Sequence, residues 1–238
     1  MKVLGLDTAT LTAGIAVIDD GRVLAEARHD SSNRSSDLLV AVDDVCRRAG
    51  VAPTALDAIA IGAGPGSFTG LRIGMATAKG IAFAAHRPLW AVSSLAALAH
   101  DAITVLADQP PLPPDDGVIV AVLDARRGEV YAGCYRAGAP LDDERVIAPR
   151  ELAAWVRTLA GERPTWFAGD ALAAHPEVLA PLAEQWLAIS TPSGTGVAQL
   201  ALAGKRVDVL TAGVPTYIRP SEAETKYPDG VPGALRRR

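Results

Sequence analysis

The chain has 238 residues, enough to bury a real core as one large domain or two small ones, and two are expected. A net charge of -4, with 49% hydrophobic and 21% charged residues, lacks the basic excess of a dedicated nucleic-acid binder, so any RNA contact is expected to come through a partner. The two cysteines, Cys46 and Cys134, make neither a disulfide framework nor a metal quartet, and no apolar run approaches the roughly 18 residues of a membrane span; a reducing cytoplasm fits both.

Val3 to Leu6 reads as a short apolar strand ending in Asp7. After the polar turn Thr8 to Thr12, Gly14 to Ile18 returns as a second strand, and beyond Asp19-Asp20-Gly21 a third runs from Arg22 to Ala27. Ser35 or Ser36 then caps a helix that places Leu38, Leu39, Val42, Val45, Cys46 and Ala49 on one face, and Gly50 ends it.

The strand Ala58 to Ile61 runs through a glycine-rich turn, Gly62 to Gly66, straight into a helix. Free N–H groups at such a helix start suit an anion. Spacing excludes the two best-known phosphate loops. Gly64 and Gly70 enclose five residues and are followed by Leu71 and Arg72, so the P-loop lysine is missing. Gly64, Gly66 and Gly70 are one residue too widely spaced for the dinucleotide fingerprint, and Pro65 stiffens the turn. Ser67 and Thr69 have no neighbouring histidine and read as helix caps. Further on, Gly70, Gly74, Ala78 and Ala82 recur every four residues and form a nearly smooth stripe, fit for an internal helix or for another subunit. Glycine inside a helix costs about 1 kcal/mol relative to alanine, so Gly70, Gly74 and Gly80 imply a contact that offsets the cost.

Trp90 to Val92 is a short strand, and Ser93 or Ser94 caps a helix to about His100. Pro110, Pro111, Pro113 and Pro114 with Asp115-Asp116-Gly117 break the pattern, which predicts a linker over 109–117 between domains 1–108 and 118–214. Val118 to Leu123 is an apolar strand ending in Asp124, followed by the turn Ala125 to Gly128 and the alternating strand Glu129 to Tyr135. Residues 3–18 have the same order, as a duplication would leave it. Helices at Arg150 to Leu159 and Val197 to Lys205, with a strand at Trp166 to Gly169, complete an α/β half. Residues 215–238 form an extension expected to pack back on the protein, its Arg236-Arg237-Arg238 end a solvated charge run. Asp7 and Asp124 stand at strand ends where a phosphate or a metal could be approached, although capping of the following turn explains them equally. Arg126 and Arg127 suit an anion or a solvated turn.

Four segments, Leu4 to Thr10, Gly64 to Gly74, Asp124 to Tyr131 and Pro215 to Arg219, together resemble the bacterial TsaB (YeaZ) family over almost the whole chain. The resemblance implies an α/β fold of the actin, sugar kinase and Hsp70 (ASKHA) type, with two related domains and mixed sheets. It implies a role in forming N6-threonylcarbamoyladenosine beside the anticodon of tRNAs that read codons starting with A. The partners implied are a catalytic TsaD-like paralogue, a TsaE-like ATPase that joins through the complex, and a second copy when the chain is alone, with tRNA contacted indirectly. Catalytic relatives carry a Val-Asn-His-x-x-x-His segment whose histidines hold a metal from one helix face. The matching segment is Val92-Ser93-Ser94-Leu95-Ala96-Ala97-Leu98, with Ser94 and Leu98 at the histidine places and His100 two positions out of register. No metal, no cofactor and no catalytic residue is therefore expected, and His29, His86 and His175 stand singly. The expected partner interface takes Leu38, Leu39, Val42 and Val45 from one helix and Gly70, Gly74, Thr77 and Ala78 from the next, so Gly74→Leu should weaken association while the monomer stays folded. The candidate remnant of a nucleotide or anion site is Asp7, Gly64, Gly66, Ser67, Asp124 and Arg126. The competing expectation is an autonomous enzyme of the same fold. As a phosphotransferase it needs nucleotide-binding glycine turns in the second half; as a glycoprotease-like metallopeptidase it needs the missing histidines.

Overall fold

The computed structural model describes residues 1–30, 37–108, 116–210 and 213–219. Ser35, Ser36, most of the expected linker and the terminal arginines lie outside the described residues. The first sheet begins as a meander of β1 (Lys2–Asp7), β2 (Thr12–Asp19) and β3 (Arg22–Asp30). After α1 (Asp37–Ala49) come β4 (Ala58–Gly62), parallel to β1, then α2 (Phe68–Ala85) and β5 (Leu89–Val92), parallel to β4. Strand β1 is central and covered on both faces, which is why its sequence is apolar almost throughout. Leu4, Leu6, Ile15 and Ile59 meet α1 and α2 on one face; Val3, Ile18, Ala58 and Ala60 form the core on the other.

Helix α3 (Ser94–Ala107) passes between the two sheets. The second sheet repeats the opening hairpin with β6 (Val118–Arg126) and β7 (Glu129–Arg136), to which the short strands β8 (Ala139–Pro140) and β9 (Arg145–Ile147) add. Helix α4 (Pro149–Ala160) then leads to β10 (Thr165–Ala168), parallel to β6. Leu95, Leu98 and Ala102 of α3 pack on Ile119, Ala121 and Leu123 from one side, while Leu152, Trp155 and Val156 of α4 pack on Val120, Val122 and Cys134 from the other. Asp7 pairs in register with Gly14 and Asp124 with Val130, so the two aspartates stand near equivalent ends of related hairpins.

Beyond the short helices α5 (Ala171–Ala174) and α6 (Pro176–Leu179), the chain departs from its expected division. Helix α7 (Gly194–Leu202) and β11 (Val207–Asp208) fall in the expected second domain, yet α7 packs on β1, β2 and β4, and β11 pairs with β5. Glycines make this approach possible. A Cβ on Gly5 would lie 2.0 Å from the Gly194 carbonyl oxygen, and one on Gly194 would lie 2.4 Å from Ala16 N. Ser193 anchors the helix start: its Oγ accepts from Gly196 N at 2.8 Å and donates to Asp101 Oδ1 at 2.6 Å, while its N–H donates to Asp101 Oδ2 at 2.7 Å. Ser193→Ala should lower stability by about 1–2 kcal/mol, measured by urea unfolding, because it removes the cap and one partner of a buried carboxylate.

The small-residue stripe of α2 faces inward, which corrects the expected interface. A Cβ on Gly70 would lie 2.2 Å from the Thr8 carbonyl oxygen, and one on Gly74 would lie 2.1 Å from Thr8 Oγ1. Ala78 and Ala82 are fully buried, as are Leu38, Val42 and Val45 of α1 to within a few per cent, all in the chain's own first core. Of the residues expected at a partner interface, Leu39 is exposed and Thr77 partly so. The stripe answers the packing of α2 onto the β1–β2 turn, where Thr8 Oγ1 donates to the Gly70 carbonyl oxygen at 2.9 Å. Among the described residues, no helix is long and apolar enough to cross a membrane.

Candidate functional site

A cleft of about 790 Å³ opens between the two sheets. One wall is the β1–β2 turn with Gly66, Ser67, Phe68 and Arg72 at the start of α2; the other is Asp124, Arg126 and Arg127 at the β6–β7 turn, with Tyr131 and Asp170. Tyr217 and Arg219 complete the lining because the segment 213–219 returns across the molecule. Thr216 N donates to the Ala63 carbonyl oxygen at 2.7 Å on the first side, and Arg219 Nη1 meets Glu129 Oε2 at 3.0 Å on the second. The four segments that carry the family resemblance therefore converge on one cleft.

Four of the six residues expected at an anion site, Gly66, Ser67, Asp124 and Arg126, line this cleft. The other two lie beneath it. Asp7 is only 1% exposed. Its Oδ1 accepts from Ala9 N at 2.8 Å, and its Oδ2 is buried without a hydrogen bond of good geometry, beside the Ser94 hydroxyl. The carboxylate leans onto Gly62, where a Cβ would lie 1.8 Å from Oδ2. Burial far from water outweighs the Ala9 hydrogen bond and the nearby Ser94 hydroxyl and pushes the Asp7 pKa up to about 6. Gly64 is also buried and, at φ +109, adopts a conformation that favours glycine.

Ser67 caps α2, its Oγ accepting from Gly70 N at 3.3 Å, while its own N–H donates to the Ala9 carbonyl oxygen. Part of the expected anion cradle is thus spent inside the fold. Across the cleft, Asp124 is held from several sides: Oδ1 accepts from Arg126 N at 2.9 Å and lies 3.3 Å from His175 Nε2, and Oδ2 lies 3.2 Å from Arg126 Nη1. Its backbone N–H donates to Asp170 Oδ1 at 2.8 Å, and burial raises the Asp170 carboxyl above the usual range. Arg126 and Arg127, at φ +61 and +56, hold a tight turn that projects two guanidinium groups at the cleft. On the first wall, the Phe68 and Tyr217 rings lie 5.1 Å apart, the Arg72 guanidinium sits 3.9 Å over the Phe68 ring, and Arg72 Nε donates to Tyr217 Oη at 3.2 Å. Guanidinium groups and aromatic faces on one rim suit a planar, anionic ligand.

Sequence reasoning missed Asp170, Tyr217, Arg219 and His175 as site neighbours. Asp170 carried the same signal as Asp7 and Asp124, a carboxylate just past an apolar strand. The register of the catalytic relatives' histidines falls on Ser94, whose Oγ accepts from Gly64 N at 3.1 Å, and on Leu98, fully buried in the core under the second sheet. His100 lies outside that register, its Nε2 2.9 Å from Gln199 Oε1. Among the described residues, no group of three or more His, Cys, Asp or Glu is placed to hold a metal ion.

A second concavity, of about 540 Å³, lies on the outer face of the first sheet's helices. It is apolar, with Leu39 of α1 on one side and Ala76, Thr77, Gly80, Ile81 and Ala84 of α2 on the other. Ala76, Gly80 and Ala84 are a second small-residue row on α2, facing solvent, and a Cβ on Gly80 would meet nothing within 4 Å.

The sequence matches the family described as "TsaD: tRNA N6-adenosine threonylcarbamoyltransferase" over residues 28–219. The tRNA threonylcarbamoyladenosine biosynthesis protein TsaB of Bacillus subtilis (strain 168) is 32% identical over 235 residues, covering 95% of this chain and 98% of that protein. TsaB of Escherichia coli (strain K12) is 32% identical over 246 residues, covering 96% and 99%. The solved structure of YeaZ from Pseudomonas aeruginosa superposes with a TM-score of 0.72 at 31% identity, covering 91% of this chain and all of that one. With two mixed sheets, each opened by a related hairpin, the fold is of the ASKHA type. The chain belongs to the TsaB/YeaZ family of tRNA threonylcarbamoyladenosine biosynthesis proteins.

Proposed function

We propose that this chain is a non-catalytic cytoplasmic subunit that binds and steadies a TsaD-like catalytic subunit, with a TsaE-like ATPase joining the pair, in forming N6-threonylcarbamoyladenosine on tRNA. The observation that carries the proposal is the apolar groove between α1 and α2. Leu39, Thr77, Gly80 and Ile81 present an uncharged face, and the small row Ala76, Gly80 and Ala84 lets a partner helix approach closely. Val40 and Phe83, on the same two helices, are 69% and 76% exposed. This is the helix pair expected from sequence, used through its exposed side, which keeps Leu39 and Thr77 of the expected residues; a second copy of the chain takes the groove when the partner is absent. Leu98 supports the non-catalytic reading, because a leucine at the second histidine place has no donor for a metal.

Leu39→Asp tests the groove. The side chain is 52% exposed, so stability should change by no more than about 0.5 kcal/mol, while a charge placed in an apolar contact should weaken association at least about tenfold. The measurement is the affinity for the purified TsaD-like subunit beside a thermal melt of the variant. Wild-type affinity in a folded Leu39→Asp chain would remove the groove from the interface.

A further inference from the structure

Six residues at the mouth of the cleft are used by neither the fold's cores nor the partner groove: Phe68, Arg72, Arg126, Arg127, Tyr217 and Arg219. We infer that this mouth contacts single-stranded RNA directly, with a base stacked on the outer face of the Arg72 guanidinium and phosphates meeting Arg126, Arg127 and Arg219. The inference rests on the proposed place of the chain in tRNA modification, and it replaces the expectation that tRNA is reached only through a partner.

The geometry favours an open strand over a closed nucleotide cradle. The glycine turn has no lysine, and the Ser67 and Gly70 N–H groups already have acceptors within the chain. What stands ready is a rim. The Arg72 guanidinium carbon lies 3.9 Å over the Phe68 ring and its Nε is held by Tyr217 Oη, so two contacts hold an exposed guanidinium at the rim, where a base can stack on it. Phe68 and Tyr217 are 37% and 38% exposed, large apolar rings held at the surface beside this guanidinium. Arg126 is 68% exposed, and when its guanidinium turns to a phosphate the buried Asp124 carboxylate keeps the Arg126 N–H and His175 Nε2 as neighbours, while the Arg219–Glu129 pair is partly open to solvent on both sides and is weak. A chain of net charge -4 attracts RNA poorly over its whole surface. Four arginines collected at one cleft, reaching it from α2, the β6–β7 turn and the returning C-terminal segment, supply the local charge instead.

The test is fluorescence anisotropy of a labelled single-stranded RNA with the purified full chain at low salt, with ADP as a competing free nucleotide. Wild type should bind, with log K falling against log salt at a slope of about -2 if three phosphates are met. Arg72→Lys keeps the charge and loses the plane, so affinity should fall about tenfold with the slope unchanged. Arg127→Ala should weaken binding and make the slope shallower by about 0.7. Leu39→Asp should bind RNA as wild type does, so a failed partner groove and a failed RNA rim give different results. No RNA binding by the wild-type chain, wild-type affinity in Arg72→Lys, or complete displacement by equimolar ADP would each overturn the inference, the last by assigning the rim to a free nucleotide.

Discussion

Gly74→Leu should cost the fold about 3 kcal/mol or more and lower the melting temperature by about 6–12 °C, whereas Gly80→Leu, six residues along the same helix, should raise it by about 1–3 °C. The two glycines are the same residue type in one helix with opposite surroundings. At Gly74 the first added carbon would stand 2.1 Å from Thr8 Oγ1, and Thr8 is itself fixed by its bond to the Gly70 carbonyl oxygen. A leucine there must push α2 off the β1–β2 turn. At Gly80 an added carbon meets nothing within 4 Å, so the substitution gains the helix propensity that glycine lacks. A partner assay with Gly74→Leu would report loss of folding, because the expected intact monomer conflicts with the contact of Gly74 on Thr8. Equal melting temperatures for the two variants would show that α2 does not pack as described.

Asp7→Asn should make the protein more stable at pH 7 by about 1–3 kcal/mol and remove part of its pH dependence. An aspartate has an ordinary pKa of 3.8, and burial pushes Asp7 up to about 6 in the folded state. Between these values the folded state holds a proton that the unfolded state has released, so stability falls as pH rises. The contribution is fully present below about pH 4, declines through pH 6 and is flat above, and two units correspond to about 3 kcal/mol. Asp101, Glu144 and Asp170 are shifted the same way by burial, so the wild-type slope has several sources. The difference between wild type and Asp7→Asn isolates one of them. Urea unfolding from pH 4 to pH 8 measures it; parallel stability curves for the two proteins would mean that Asp7 is ionised at no cost.

Local order along the chain was legible and tertiary destination was not. The hairpin that carries each aspartate, the Ser67 cap and the helices beginning near residues 37, 94 and 150 all follow from period and punctuation, which are properties of neighbouring residues. The choice between two faces of α2 is different in kind. Spacing by four generates both the row Gly70, Gly74, Ala78, Ala82 and the row Ala76, Gly80, Ala84, and only the packing of α2 on Thr8 and on the first sheet's core decides which is buried. The same limit hid α7: nothing local to Ser193 to Leu202 says that it crosses back to cover β1, because the cause is the absence of side chains at Gly5 and Gly14 nearly two hundred residues earlier. At the cleft, Asp124 and Arg126 were visible as neighbours in sequence, but Asp170, Tyr217 and Arg219 join them only through the folded sheet and the returning C-terminal segment.

The most direct test is reconstitution of threonylcarbamoyl transfer to tRNA with the purified TsaD-like and TsaE-like proteins and either wild-type chain or Gly80→Leu. A Gly80→Leu chain should be at least as stable as wild type, bind the TsaD-like subunit about tenfold or more weakly and need a correspondingly higher concentration for the same rate of modification. Modification at the wild-type rate and concentration with Gly80→Leu, or modification by this chain in the absence of the TsaD-like protein, would contradict a non-catalytic partner docked at this groove.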